Sequence, residues 1–138
     1  MNTCIFCKIV NGEIPSYKVY EDQDILAFLD IQPLTKGHCL VVPKKHYQDI
    51  FDIDEGDLKK VIVGAKHISE KIKNTLKTDG IRISQSNGKA AGQDIMHFHL
   101  HVIPRYANDG FSNNPTLTIH SPKADFEELK KLAEKIKI

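Results

Sequence analysis

Residues 96–105 read Met96-His97-Phe98-His99-Leu100-His101-Val102-Ile103-Pro104-Arg105. Successive side chains of a β-strand point to opposite faces, so this order places His97, His99 and His101 on one side and Phe98, Leu100 and Val102 on the other. The apolar side predicts a strand packed on a core. The histidines, ~6.5 to 7 Å apart along one face, have an unperturbed pKa of about 6.5. That makes them poor packing material and serviceable nucleophiles, acids or metal ligands. A fold built around this strand must cover one face with apolar structure and keep the other for chemistry.

The remaining elements follow from periodicity and turn residues. Residues 4–10 form a short apolar turn ended by Asn11-Gly12, and residues 17–20 and 25–29 read as a hairpin of two strands. Residues 33–37 are a loop, and residues 38–42 a strand stopped by Pro43. Between Asp54 and Leu76 the period changes: Leu58, Val61, Ile62, Ala65, Ile68, Ile72 and Leu76 recur at helical spacing opposite a lysine-rich side. Asp54 and Asp57 suit the first turn of this long helix, and Asp79-Gly80 closes the segment. Residues 81–86 alternate as a half-buried strand, and residues 87–93 are a small-residue loop leading into the histidine strand. Asp125 with Glu128 resembles a capping box for a C-terminal helix carrying Phe126, Leu129, Leu132, Ala133 and Ile136. The expectation is an α+β fold: a mostly antiparallel five-stranded sheet with one long helix and a C-terminal helix. It forms one domain over residues 1–138, with its core at about 4–105 and a tail and helix at 106–138. Strand order is not readable at this level.

Composition excludes some functions. The 19 basic residues nearly balance 18 acidic ones, which argues against nonspecific nucleic-acid binding. No apolar run approaches the ~20 residues of a membrane span, and the N-terminus lacks the layout of a signal peptide. A cytoplasmic protein with neither nucleic-acid nor membrane partners is expected. Cys4, Cys7 and Cys39 are too few and too uneven for a disulfide framework, and in a reducing compartment Cys4-x-x-Cys7 reads as a metal or redox site. As half of a tetrahedral zinc site the pair needs two further ligands. As a redox pair it should follow a strand near a βαβ pattern, and none follows; two buried thiols without a ligand are a third reading. Cys39 has no evident partner and reads as core, His67 as a solvated helix residue, and His120 lies in the 113–121 tail with no assigned role.

The histidine row has two functional readings. Two or three imidazoles on one face can chelate a single metal ion, or a neutral imidazole can attack an electrophile such as phosphorus while its neighbours handle charge and protons. The preceding loop bears on this choice, because Gly88 and Gly92 let backbone amides approach a ligand and form an anion-binding concavity.

With these residues in view, the chain resembles the histidine triad family of nucleotide hydrolases and transferases. His97-Phe98-His99-Leu100-His101-Val102-Ile103 matches its alternating signature, and Asn87-Gly88-Lys89-Ala90-Ala91-Gly92-Gln93, Leu40-Val41-Val42-Pro43-Lys44-Lys45-His46 and Cys4-Ile5-Phe6-Cys7-Lys8-Ile9 are similar to further family motifs. The likeness runs from about Cys4 to Arg105 and is closest to the Hint-like branch with a bacterial type of Cys-x-x-Cys. It implies that His99 is the nucleophile forming a nucleotidyl-histidine, that His101 hydrogen-bonds the phosphoryl group, and that His38 supports the cluster. It further implies phosphate binding by Gln93, Gly92 and the neighbouring Ser86 and Asn87, ribose binding by Asp30, and a purine pocket walled by Phe6, Ile9 and Phe28. The same resemblance completes a structural zinc site as Cys4, Cys7, His46 and His97, with no cofactor needed for catalysis. It also implies a homodimer and a purine nucleotide such as AMP as substrate or product. The expected activity is that of a purine nucleoside phosphoramidase, with a dinucleoside polyphosphate hydrolase or a weakly hydrolytic nucleotide-binding interaction protein as alternatives. Two positions depart from the family pattern. Asp94 stands where a small hydroxyl residue is usual, and its carboxylate is expected to turn away, since two unit charges at ~4 Å repel by about 4 kcal/mol at an effective dielectric of 20. Ser86 replaces the usual amide side chain.

Overall fold

The helical stripe of the sequence becomes α2 (Glu55–Leu76) in the computed structural model, which describes residues 3–110 and 124–138. Asp54 caps it, its carboxylate accepting from the Asp57 N–H, while Glu55 and Asp57 complement the positive end of the helix dipole. The helix stops at Lys77, which takes a left-handed conformation and donates its N–H to the Lys73 carbonyl. Gly80, read from sequence as part of the helix stop, instead opens a strand. Val61, Ala65, Ile68 and Ile72 are buried, whereas Ile62 is 46% exposed. The core arc runs 61-65-68-72, and Ile62 stands about 100° to one side of it.

Five strands, β1 (Lys18–Glu21), β2 (Ile25–Leu29), β3 (Cys39–Pro43), β4 (Gly80–Ser84) and β5 (Leu100–Arg105), form one sheet in the order β1-β2-β3-β5-β4. Every pairing is antiparallel. This is the expected α+β architecture, including the β1-β2 hairpin. Two apolar clusters cover the two faces. One joins Val41, Leu100, Val102 and Phe98 to α2 and to Leu129, Ala133 and Ile136 of α3 (Phe126–Ile136). The other contains Phe6, Ile9, Leu26, Phe28, Leu40 and Val42. β2 and β3 are therefore buried on both sides, which is why their sequences are continuous apolar runs. β4 is an outer strand, and Ile83 on it is 43% exposed.

Three local expectations change. Residues 4–10 are not a turn: Ile5–Val10 is a helix, α1, started by the Cys4 sulfur accepting from the Cys7 N–H. The strand hydrogen bonding of β5 begins only at Leu100, because residues 97–99 lie beside the segment before α2, where the Phe98 N–H donates to the Tyr47 carbonyl at 2.7 Å. The alternation of faces persists through this lead-in. At α3 the Asp125 carboxylate accepts from the Glu127 N–H at 2.8 Å, one residue before the expected Glu128. The 113–121 tail with His120 lies outside the described residues.

Candidate active site

The lead-in to β5 brings His97 against α1 and against the loop after β3. Its Nδ1 lies 3.4 Å from Cys4 Sγ, 3.5 Å from Cys7 Sγ and 3.2 Å from His46 Nδ1, and Cys7 Sγ lies 3.3 Å from His46 Nδ1. Bonds of about 2.0 to 2.3 Å to a tetrahedral zinc separate neighbouring donors by roughly 3.3 to 3.8 Å. The donor set and its spacing thus fit a closed Cys2His2 metal site. His97 is fully buried, and burial pushes its imidazole down to about 4, so the ring is neutral. Its Nε2 is 2.9 Å from the Pro43 carbonyl. A carbonyl only accepts, so Nε2 carries the proton and Nδ1 presents a lone pair to the cluster.

The same reasoning assigns the remaining histidines. His99 Nδ1 is 2.7 Å from the carbonyl oxygen of His97, so in the neutral ring Nδ1 carries the hydrogen and Nε2 the free lone pair. In the segment just before β3 the Leu34 N–H donates to His38 Nδ1 at 3.0 Å. The hydrogen of neutral His38 therefore sits on Nε2 and is donated over 2.9 Å to His101 Nδ1, which leaves His101 with an N–H at Nε2. Burial lowers the pKa of His38 despite the opposing pull of Asp30, whose Oδ2 is 3.7 Å from His38 Nε2. Burial likewise holds His101 down to about 4. With His99 and His101 ring centroids 5.0 Å apart, a nitrogen with a free lone pair in the neutral ring and a hydrogen-bond donor stand side by side.

Around this pair the other predicted residues assemble. Phe6 stands edge-on to His99, with centroids 5.1 Å apart and planes at 82°, and packs against Phe28 in the cluster that includes Ile9. Asp30 accepts from the Gln32 N–H at 2.8 Å while its other oxygen faces His38. Gln93 is buried, and its side chain braces the loop: Oε1 accepts from the Gly88 N–H, and Nε2 donates to the carbonyls of Gln48 and Ile95. Asn87 similarly accepts from the Ile50 N–H and exchanges hydrogen bonds with Gln85. Ser86 is half-buried beneath Gly92. Asp94 does not turn away. Its Oδ1, held by the Ile95 N–H at 2.9 Å, lies 3.8 Å from His99 Nε2. The side chain is 79% exposed, so water screens its charge and the position is tolerated. Cys39 is buried with its thiol donating to the Gly37 carbonyl, and burial raises its pKa; His67 is exposed on α2. The groups that sequence reasoning missed are backbone ones, the Leu34 amide and the Pro43 and His97 carbonyls, for which no side-chain signal exists.

The sequence profile of the HIT domain matches residues 11–108. The chain belongs to the HIT domain family. An uncharacterized HIT-like protein of Methanocaldococcus jannaschii is 53% identical over 107 residues, covering 78% of this chain and 82% of its own. An adenylylsulfatase of Arabidopsis thaliana is 39% identical, covering 91% and 64%, and an adenosine 5'-monophosphoramidase of Candida albicans 35% identical, covering 98% and 90%. Among solved HIT structures, a Hit-like protein of Bartonella henselae superposes with a TM-score of 0.86 at 37% identity, covering 99% of this chain and 95% of that one. A zinc-bound histidine triad protein of Mycobacterium smegmatis gives 0.79 at 36% identity, covering 95% and 90%.

Proposed function

We propose that this HIT protein hydrolyses purine nucleoside phosphoramidates by way of a nucleotidyl-histidine at His99. The observation that carries the reading is the hydrogen bonding of the two rings, which in their neutral forms leaves a lone pair on His99 Nε2 beside an N–H on His101 Nε2. In this mechanism His99 Nε2 attacks phosphorus as the bond to the leaving amine breaks, and His101 donates to a phosphoryl oxygen where negative charge builds. His38, fixed by the Leu34 amide, holds His101 in the donating tautomer. Water then cleaves the P–N bond to His99 and releases a nucleoside monophosphate such as AMP. Backbone amides of the loop shaped by Ser86, Asn87, Gly92 and Gln93 hold the phosphate, Asp30 binds ribose hydroxyls, and Phe6, Ile9 and Phe28 wall the purine. The monophosphoramidase of C. albicans supports this substrate class. The adenylylsulfatase of A. thaliana favours a second reading, in which the departing group is sulfate.

Cys4, Cys7, His46 and His97 would hold zinc as a structural ion. Four protein donors fill a tetrahedral shell, so the ion stiffens the base of the site and takes no part in the reaction. The zinc-bound relative from M. smegmatis supports this choice of metal. The functional unit we propose is a cytoplasmic homodimer. The outer strand β4 with exposed Ile83, together with exposed Ile62 and Val63 on α2, offers the apolar surface for it.

The test is intact-protein mass spectrometry after alkaline quenching of a reaction with adenosine 5'-phosphoramidate. Wild type should carry an adenylyl adduct and release AMP, and His99→Ala, with an unchanged circular dichroism spectrum, should do neither. Full turnover by that variant removes His99 from the nucleophile role.

A further inference from the structure

We infer that Asp94 selects the leaving group, admitting amines and repelling phosphate or sulfate; this rests on the nucleotidyl-transfer reading above. The ends of the site are chemically distinct. Asp30 and His38 lie at the His101 end, and Asp94 approaches His99 from the end nearer His97. A nucleotide whose ribose reaches Asp30 and whose phosphorus meets His99 Nε2 sends its departing group past Asp94. There a cavity of about 410 Å3 opens, lined by Thr3, Cys4, His46, Gln48, Asp94 and Met96 among others. Its described lining contains no lysine or arginine, and its one histidine, His46, faces the cysteine cluster, so no permanently cationic side chain there would neutralise an anionic leaving group.

In the first half-reaction the bond from His99 Nε2 to phosphorus forms while the bond from phosphorus to the amine breaks. The electron pair goes to the amine nitrogen, which takes two protons from solvent and departs as an ammonium. In the second half-reaction water attacks phosphorus as the bond to His99 Nε2 breaks, and its two protons replace those drawn from solvent. The nearby carboxylate favours the departing group as an ammonium. A departing sulfate or phosphate meets the same carboxylate as a like charge. Asp94 Oδ1 is fixed by the Ile95 N–H rather than free to swing away, so this discrimination is built into the site.

Adenosine 5'-phosphoramidate and adenosine 5'-phosphosulfate share the nucleotide and differ in leaving group, and AMP release reports both. The ratio of kcat/KM for amidate over sulfate should fall about fivefold in Asp94→Asn, the size of one like-charge contact at ~4 Å in water-like surroundings. The drop should come mainly from faster sulfate release. Asp94→Glu should keep the wild-type ratio. The amide oxygen of Asn still accepts from Ile95, and the position is exposed, so the fold is not at stake. An unchanged ratio in Asp94→Asn overturns the assignment of Asp94 alone. Failure of wild type to release AMP from either substrate overturns the parent reading instead.

Discussion

Gly37, the residue before His38, has φ of +95°, and a Cβ there would lie 2.8 Å from Leu76 Cδ1 at the end of α2 and 3.1 Å from Pro104 Cγ on β5. Gly12, after α1, has φ of +79° and nothing within 4 Å of the same position. Replacing each with alanine separates two costs. A left-handed backbone costs an L-residue about 1 to 2 kcal/mol, and the smaller entropy of the unfolded alanine chain offsets about 0.4 to 1 kcal/mol of that. Gly12→Ala should therefore lose about 1 kcal/mol. Gly37→Ala bears the same backbone term plus an overlap costing about 1 to 3 kcal/mol: the Leu76 side chain can yield, but the Pro104 ring is fixed. Its expected loss is about 2 to 4 kcal/mol, survivable for a domain of ordinary stability. Urea unfolding monitored by circular dichroism gives both numbers from the midpoint and slope. Equal losses at the two glycines, at unchanged slope, would refute the claim that Gly37 is required by the close approach of α2 and β5.

The metal site and the buried imidazoles give further expectations. Elemental analysis should find about one zinc per chain, and its removal by a chelator should lower Tm by on the order of 10 °C at concentrations where turnover at room temperature persists; lost turnover at unchanged Tm would place the ion in the reaction. His38 and His101 are neutral in the fold with pKa values below the ordinary 6.5, His101 at about 4. The unfolded chain thus binds more protons in this window, and their contribution to stability is full above about pH 6.5 and lost as pH falls toward 4. The urea midpoint should drop across that range, and part of the drop should vanish in His101→Gln; an identical profile in that variant contradicts the buried, neutral state of His101.

Much of the fold is legible because burial on two faces and burial on one face leave different marks. The unbroken apolar run Ile25–Leu29 is a strand covered on both sides, and the alternation from His97 to Val102 survives although strand pairing starts only at Leu100. The helix α1 was not legible: six residues are too short to show a period, and its cap is a cysteine rather than a residue of the usual capping set. Strand order depends on long-range pairings, such as Leu40 and Ser84 both opposite His101, that no local pattern encodes. In the site, residue types pointed to the Cys and His groups that meet, but not to their tautomers, which backbone groups assign. The pose of Asp94 is not legible either, because it depends on the Ile95 amide that holds the carboxylate in place and not on Coulomb repulsion alone.

His97 serves two neighbours at once, its ring joining the cysteine cluster and its carbonyl receiving the His99 N–H. Cys4 stands 93 positions earlier in the chain. During synthesis the segment that holds the His97 ring is thus made well before His99, the proposed nucleophile, emerges. A chain whose helix α1 has not docked retains every side chain proposed for catalysis and still lacks a correctly aimed one. The proposed nucleotidyl transfer would then report that α1 has met the histidine strand, so the reaction doubles as a readout of completed assembly.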